Sequence, residues 1–415
     1  MTPEIKHRIG QIRRGEVPER YVKTALGLAP TDWKRYTFGD IYTERKEPGD
    51  ENLPLLMVSI HSGVSDGEVD AAELPKQVKR IEDKSQYKKA VSGDLVFNMM
   101  RAWQGAIGTV RTTGMVSPAY IVAEPNDKAY PLFMDYYSRT PQMINQLDRQ
   151  SYGVTDFRKR LYWDSFAPIG CILPPIEEQQ KIATILTTQD KVIKLKEKRL
   201  AEKQRQKKYL MQQLLTGKKR LPGFNGAWKT DCLGKLFFER KETNCENIEM
   251  LAITGTQGII PRKELDLKDN SSEDKSKYLR VCVGDIGYNT MRMWQGVSAY
   301  SNYGGIVSPA YTILKPSSSI NAKYFAYLFK MSEIVFLFYR FSQGLVDDTR
   351  NLKYENFKKI KVCYPPDMKE QTAIAEVLSA ADHEIDLLQQ DIEQEKQKKK
   401  ALMQLLLTGI VRVKT

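Results

Sequence analysis

The sequence predicts an α+β protein: two duplicated α/β domains separated by two long antiparallel coiled-coil helices, with pseudo-two-fold symmetry. Four observations carry this reading. Asn98-Met-Met-Arg101-Ala-Trp103-Gln104-Gly105 returns as Asn289-Thr-Met-Arg292-Met-Trp294-Gln295-Gly296. Ser117-Pro-Ala-Tyr120 returns at the same offset as Ser308-Pro-Ala-Tyr311. Both copies alternate short apolar runs with Gly, Pro and Asp breaks, the pattern of a mixed α and β segment. Each copy then closes on a long heptad-patterned stretch free of proline and glycine. Solenoid repeats run to about 20–50 residues, so a repeat this long is a whole duplicated domain.

Taken in order, residues 1–30 form an N-terminal arm with no clear counterpart before the second copy, and the arm is expected to pack beside the C-terminal helix. The first domain covers 31–174. Its Trp33, Gly39 and Glu44-Arg45-Lys46-Glu47 match Trp228, Gly234 and Glu239-Arg240-Lys241-Glu242 of the second domain, 221–365. Leu55–Ile60, Asp94–Phe97 and Ala119–Val122 read as strands, and Lys128–Leu147, with Phe133, Tyr136, Tyr137 and Ile144, as helix.

The central helix, 175–220, follows Pro174-Pro175, and the C-terminal helix, 366–415, follows Pro365-Pro366. Proline is tolerated at a helix start but not inside. At about 1.5 Å rise per residue each helix runs to roughly 60 Å. The first seam runs Ile182, Leu186, Gln189, Ile193, Lys196, Leu200, Lys203, Lys207, Leu210, Leu214; the second runs Ile374, Leu378, Ala381, Ile385, Leu388, Ile392, Glu395, Lys399, Leu402, Leu406. In an antiparallel pair Ile182 and Leu186 lie near Leu402 and Leu406. Lys203 and Lys207 are then left unpaired on the seam, so the basic run Lys194–Arg220 faces solvent or phosphate as well. Gly217 and Gly409 are the C-terminal caps.

A formal charge of +13 over 415 residues, with a pI near 9.2, favours a polyanionic partner. Nucleic acid comes before membrane, because neutralising phosphates releases counterions; the alternative is a basic but inert surface. The five cysteines are scattered without Cys-x-x-Cys, and histidine occurs only at 7, 61 and 383, so no zinc site or disulfide framework is legible. Met1–Lys6 has no apolar signal region, and Phe325–Phe341 is interrupted by Lys330 and Glu333. A cytoplasmic protein with no membrane partner and no metal of its own is the expectation.

Arg101, Trp103 and Gln104, echoed by Arg292, Trp294 and Gln295, have the residue types that grip a nucleic-acid backbone: cation, flat ring and amide. They fit equally a core tryptophan with an internally paired arginine. If the halves read different words of a nucleic acid, shared residues are scaffold or phosphate contacts, and base readers lie where the halves differ. The differing stretches carry His61, Ser62, Ser65 and Asp66 against Thr254, Thr256 and Gln257, and Tyr152, Arg158 and Arg160 against Gln343, Arg350 and Asn351. No phosphate-binding Gly-x-x-x-x-Gly-Lys-Ser/Thr and no Asp/Asn-Pro-Pro-Tyr/Phe occurs; Tyr364-Pro-Pro-Asp367 has the letters in the wrong order. No catalytic residue is assigned. Glu82-Asp83-Lys84 and Glu273-Asp274-Lys275 form a weak acid-x-Lys nuclease pattern, against which stands an ordinary surface ion pair.

The combined pattern resembles the DNA-specificity subunit of type I restriction-modification enzymes. The likeness rests on Pro174-Pro-Ile-Glu-Glu178-Gln179 and Pro365-Pro-Asp-Met-Lys-Glu370-Gln371 opening the helices, on Leu-Leu-Thr-Gly closing them, and on the paired Arg-x-Trp-Gln-Gly and Val-Ser-Pro-Ala-Tyr elements. The resemblance implies a non-catalytic subunit with two target-recognition domains, each reading one half of a bipartite double-stranded DNA target. It implies as partners two methyltransferase (modification) subunits and restriction/translocase subunits. S-adenosylmethionine, ATP and Mg²⁺ then belong to those partners and none to this chain. The other readings are a Mg²⁺-dependent nuclease and a scaffold joining two partner proteins.

Overall fold

The structure, a computed structural model, describes residues 3–50, 52–60, 63–65, 86–155, 158–245, 248–255, 258–265 and 274–413, apart from the side chain of Asp348. The chain forms two compact units, 1–195 with 392–415, and 196–391. This division falls within the two long helices. The segments 1–30, 175–220 and 366–415 are therefore not bodies of their own: arm and helix halves belong to the units.

The first unit is built on an antiparallel sheet ordered Tyr42–Arg45, Tyr120–Pro125, Leu95–Asn98, Ile107–Thr109. Alternate residues serve opposite faces. Leu95, Phe97, Ile121 and Ala123 face the helices of the main core, whereas Val96 and Val122 pack on Leu56, Val58 and Val64. The second unit repeats the order with Phe237–Glu239, Tyr311–Pro316, Ile286–Asn289 and Ser298–Tyr300. There Ile286, Tyr288 and Leu314 face one core and Ile313 the other. In both units a two-stranded ladder pairs the domain's beginning with its end: Lys34–Thr37 with Gly170–Leu173, and Lys229–Cys232 with Lys361–Tyr364. Each domain thus closes on itself before the chain enters a long helix.

Two local expectations are corrected. Only Val58–Ser59 of the Leu55–Ile60 run is strand, paired with Gly63–Val64; Leu55 makes a single bridge to Met115. The helix read over Lys128–Leu147 is two helices, Pro131–Tyr137 and Pro141–Arg149. Pro141 cannot donate to the preceding turn, and Thr140 caps the new start by accepting from Met143 N.

The long helices span Ile176–Leu214 and Met368–Leu406, 39 residues each. Every apolar seam residue named above is buried or half-buried. In the first unit Ile182, Ala183 and Leu186 pack with Leu402, Leu406 and Leu407. In the second, Leu210 and Leu214 share a core with Ile374 and Leu378. Both sets run in the antiparallel sense. The polar seam positions are paired, which overturns the expectation that Lys203 and Lys207 lack partners. Lys203 meets Glu384 at 2.9 Å, Lys196 meets Asp391 at 2.8 Å, and Lys207 meets Asp382. In the first unit Lys399 meets Asp190 at 2.6 Å, and Gln189 donates to Glu395 at 2.6 Å. What remains exposed from the basic run is Lys194, Lys198, Arg199, Arg205, Lys208, Lys218 and Lys219.

The arm packs on the end of the second helix. Its helix Pro3–Arg13 sends Arg8 to Ile410 O at 3.1 Å, and Tyr21 donates to Gly409 O at 2.6 Å. Gly409, at φ +69°, lies so close to Pro30 that a Cβ would come within 2.6 Å of its ring. Gly217, at φ +71°, takes the same left-handed turn against Trp228. Glycine is the residue that tolerates both the dihedral and the approach.

Candidate nucleic-acid interface

The duplicated Arg-x-Trp-Gln-Gly segments form the same device in both units. Each follows a sheet strand and curls into one 3₁₀ turn, Ala102–Gln104 or Met293–Gln295. Gly105 at φ +95° and Gly296 at φ +79° end the turns. Ile144 packs on the first glycine and Val335 on the second. Ala102 and Met293 anchor the turn in the core, and this alternation pushes Arg101, Gln104, Arg292 and Gln295 outward into solvent.

Trp103 and Trp294 are half-buried, and their indole N–H groups donate to Met100 O and Met291 O at 3.0 and 2.9 Å. They are not core residues. Among the described residues neither Arg101 nor Arg292 has an ion-pair partner. Among the described residues the internally paired arginine, left open by the sequence, is not found, and both guanidiniums are exposed.

A loop sits beside each turn. Tyr152 and Arg160 exchange backbone hydrogen bonds of 2.9 and 2.7 Å, closing one loop. Gln343 and Asn351 close the other with two bonds of 2.8 Å. The loops are tethered to the turns by Leu161 N to Met99 O, 2.9 Å, and Leu352 N to Thr290 O, 2.8 Å. In the first unit the Lys159 ammonium lies 5.0 Å from the Trp103 ring centre and 2.7 Å from Asp148. In the second, Trp294 meets Tyr339 edge-on at 6.2 Å, and the Arg350 guanidinium stacks on Tyr339 at 4.1 Å.

The remaining sequence-predicted readers divide. Tyr152, Arg158 and Gln343 are exposed on the loops. Arg160 donates to Lys159 O at 2.8 Å. Arg350 is taken up by Asp347 at 2.9 Å and the Tyr339 hydroxyl at 3.0 Å, so it braces the loop instead of projecting from it. Asn351 donates to Thr349 O. Ser65 accepts from Met57 N at 3.1 Å and Thr254 donates to Gly258 O at 3.1 Å, both holding turns. His61, Ser62, Asp66, Thr256 and Gln257 lie outside the described residues.

Glu82, Asp83, Lys84 and Glu273 also lie outside them. Asp274 accepts from Ser276 N at 2.8 Å and Lys275 lies 4.9 Å from the Tyr278 ring centre, both local turn contacts. Among the described residues no group of three or more His, Cys, Asp or Glu is placed to hold a metal ion, and no helix is long and apolar enough to cross a membrane.

The shared acidic partners are scaffold. Arg45 makes a two-pronged bond to Asp94 at 2.7 and 3.2 Å, and Arg240 repeats it on Asp285 at 2.8 and 3.1 Å. Burial pushes the Asp94 carboxyl upward, against the pull of Arg45, while that pairing raises the guanidinium.

The sequence profile of the type I restriction modification DNA specificity domain matches residues 70–205 and again 234–397. The chain belongs to this family. Among its relatives is a Methanocaldococcus jannaschii protein named as the type I restriction enzyme MjaVIII specificity subunit, 24% identical, covering 95% of this chain and 97% of its own. A second protein of that organism, named by inference as the MjaX specificity subunit, is 24% identical over 96% of this chain and 98% of its own. The fold is shared with the type I restriction-modification S subunit of M. genitalium, with a TM-score of 0.56 at 11% identity, over 92% of this chain and 97% of that one. It is also shared with a chain solved in work on assembly and conformational transition of the type I R-M system, with a TM-score of 0.52 at 16% identity, over 92% and 99%.

Within this family frame the sequence reading located the turns and the loops. It missed which loop residues project. Val154 and Leu345 are 93% and 99% exposed, and no polarity argument singles out an apolar residue. The signal available was position: each directly follows a glycine shared by both copies, Gly153 and Gly344.

Proposed function

We propose that this chain is the non-catalytic DNA-reading subunit of a type I restriction-modification complex, each unit reading one word of a bipartite duplex target. The observation that carries the reading is the duplicated exposed turn: a free guanidinium, a half-buried indole and an adjoining tethered loop, repeated at one offset on a chain of charge +13. Arg101 and Arg292 supply phosphate contacts that set orientation. Tyr152, Arg158 and Gln343 supply groups for base edges. The paired helices set the distance between the words and dock two methyltransferase subunits. S-adenosylmethionine, ATP and Mg²⁺ are used by partner subunits.

The chain alone then binds DNA weakly and with little preference, since one exposed face gives mainly phosphate contacts. Selectivity arises when a methyltransferase partner holds the duplex against both units. Footprinting with and without that partner tests this: two separated protected patches are expected only in the complex. Tight selective binding by the isolated chain contradicts it. Incubation of the purified chain with plasmid and Mg²⁺ tests the nuclease reading, and no cutting is expected.

A further inference from the structure

We infer that Val154 and Leu345 are apolar base readers, each seating on the 5-methyl group of a thymine in the word its unit recognises. The inference rests on the DNA-reading function proposed above and names the chemistry of one contact within it.

Single exposed hydrophobic residues are common on protein surfaces and need no account. Here two coincide. Among the described residues Val154 and Leu345 are the most exposed large hydrophobic side chains of their respective units. They occupy equivalent positions in the two copies, on the two loops closed by paired backbone bonds. Those loops are folded tightly. A Cβ on Gly153 would lie 2.5 Å from the Arg158 carbonyl, and one on Gly344, at φ +130°, would lie 2.6 Å from Thr349 O. Only glycine permits that crossing. The residue after each crossing stands clear of the core, with its side chain in solvent.

Each tip's loop is tethered by a backbone bond to the turn that carries an exposed arginine, Arg101 or Arg292, and Arg158 is exposed on the first loop itself. Phosphates held by these arginines bring a groove edge to the loop. In the major groove the one methyl group on an unmodified base edge is the thymine 5-methyl, which stands among hydrogen-bond donors and acceptors. An apolar side chain gains by covering that methyl. It loses when it covers a donor or acceptor and leaves it unpaired. One short tip therefore favours thymine and disfavours the alternatives.

The test uses the complex with its methyltransferase subunit and a duplex carrying the target words, read from methylated adenines. Each thymine is replaced in turn by deoxyuridine, which removes only the methyl. With the natural chain, one position in each word is expected to lose about fourfold in affinity, the worth of one buried methyl-sized group. In L345A that sensitivity disappears at one word, and in V154A at the other. Both side chains are solvent-exposed, so these variants retain the fold. If the complex binds its target selectively but ignores every deoxyuridine, or if L345A and V154A keep the full response, the tips are not methyl readers while the DNA-reading function stands. Absence of selective binding in the complex overturns both.

Discussion

Arg412 grips Glu178 through two hydrogen bonds of 2.7 Å, joining the segment beyond the second long helix to the first turn of the first helix. Arg220 and Glu370 repeat the arrangement in the other unit at 2.5 and 2.7 Å. The carboxylates are fully or almost fully buried, and each arginine also lies against a tryptophan, Trp33 or Trp228. The adjacent glutamines complete the joint. Gln179 accepts from Tyr130 N and donates to Lys128 O and Pro174 O; Gln371 accepts from Asn321 N and donates to Pro365 O. The Glu-Gln pair that opens each helix is therefore a fastening between helix and domain.

Arg412→Ala is expected to destabilise the chain by about 3 kcal/mol, because it leaves a buried carboxylate unpaired. Arg220→Ala should act similarly in the second unit. Denaturant unfolding reads both. Arg412 also hydrogen-bonds Asp32, holding that carboxyl below its ordinary value of 3.8. A lowered acid stabilises the fold above its unfolded value and ceases to do so as pH falls through the folded one. The Asp32 part of the Arg412→Ala deficit should thus be constant from neutrality to about pH 4 and shrink only below. Asp32→Asn isolates that part, and a deficit of this variant that already fades between pH 7 and 5 contradicts the assignment.

Arg101→Ala and Arg292→Ala should each weaken DNA binding by the complex to all sequences and reduce the salt slope by about one, if each removes one phosphate contact. The methylated words should be unchanged. Binding isotherms over a salt series and adenine-methylation mapping check the two halves of the prediction. A changed word would make the shared turn a base reader.

The long helices were legible because a seam of period 3.5 without proline or glycine admits few other structures. The partners of Lys203 and Lys207 were harder, since Glu384 and Asp382 are distant in sequence. The register nevertheless contained them. In an antiparallel pair each step forward on one helix is a step back on the other. Setting Ile182 against Leu406 puts Lys203 and Lys207 within a residue of those acids. Composition failed for Arg350 for another reason: an arginine on a divergent loop looks like a reader until Tyr339 and Asp347 are seen to occupy it.

Exchanging residues 31–174 for the same segment of a relative should replace one word of the target and leave the other. The structural ground is the ladder between Lys34–Thr37 and Gly170–Leu173, which brings both ends of the exchanged segment together within one unit. Methylation mapping of the hybrid complex gives the answer. Loss of both words in a hybrid that still folds would count against independent reading.

The helices should also act as the ruler between the words. Seven residues added to the first helix just before Lys196, and seven to the second just after Asp391, enter beside the same interhelical ion pair. One heptad keeps the seam in register. It adds about 10 Å of helix. Duplex DNA advances about 3.4 Å per base pair, so the spacer should lengthen by roughly three base pairs. Three base pairs also turn the duplex by about 100° at roughly 10.5 per turn, and this twist must be absorbed by the DNA or the helix pair. An increment of one or two base pairs is the consequence if the DNA resists. The spacer is read from modified adenines made by the insertion variant, and an active variant with the original spacer ends the ruler hypothesis.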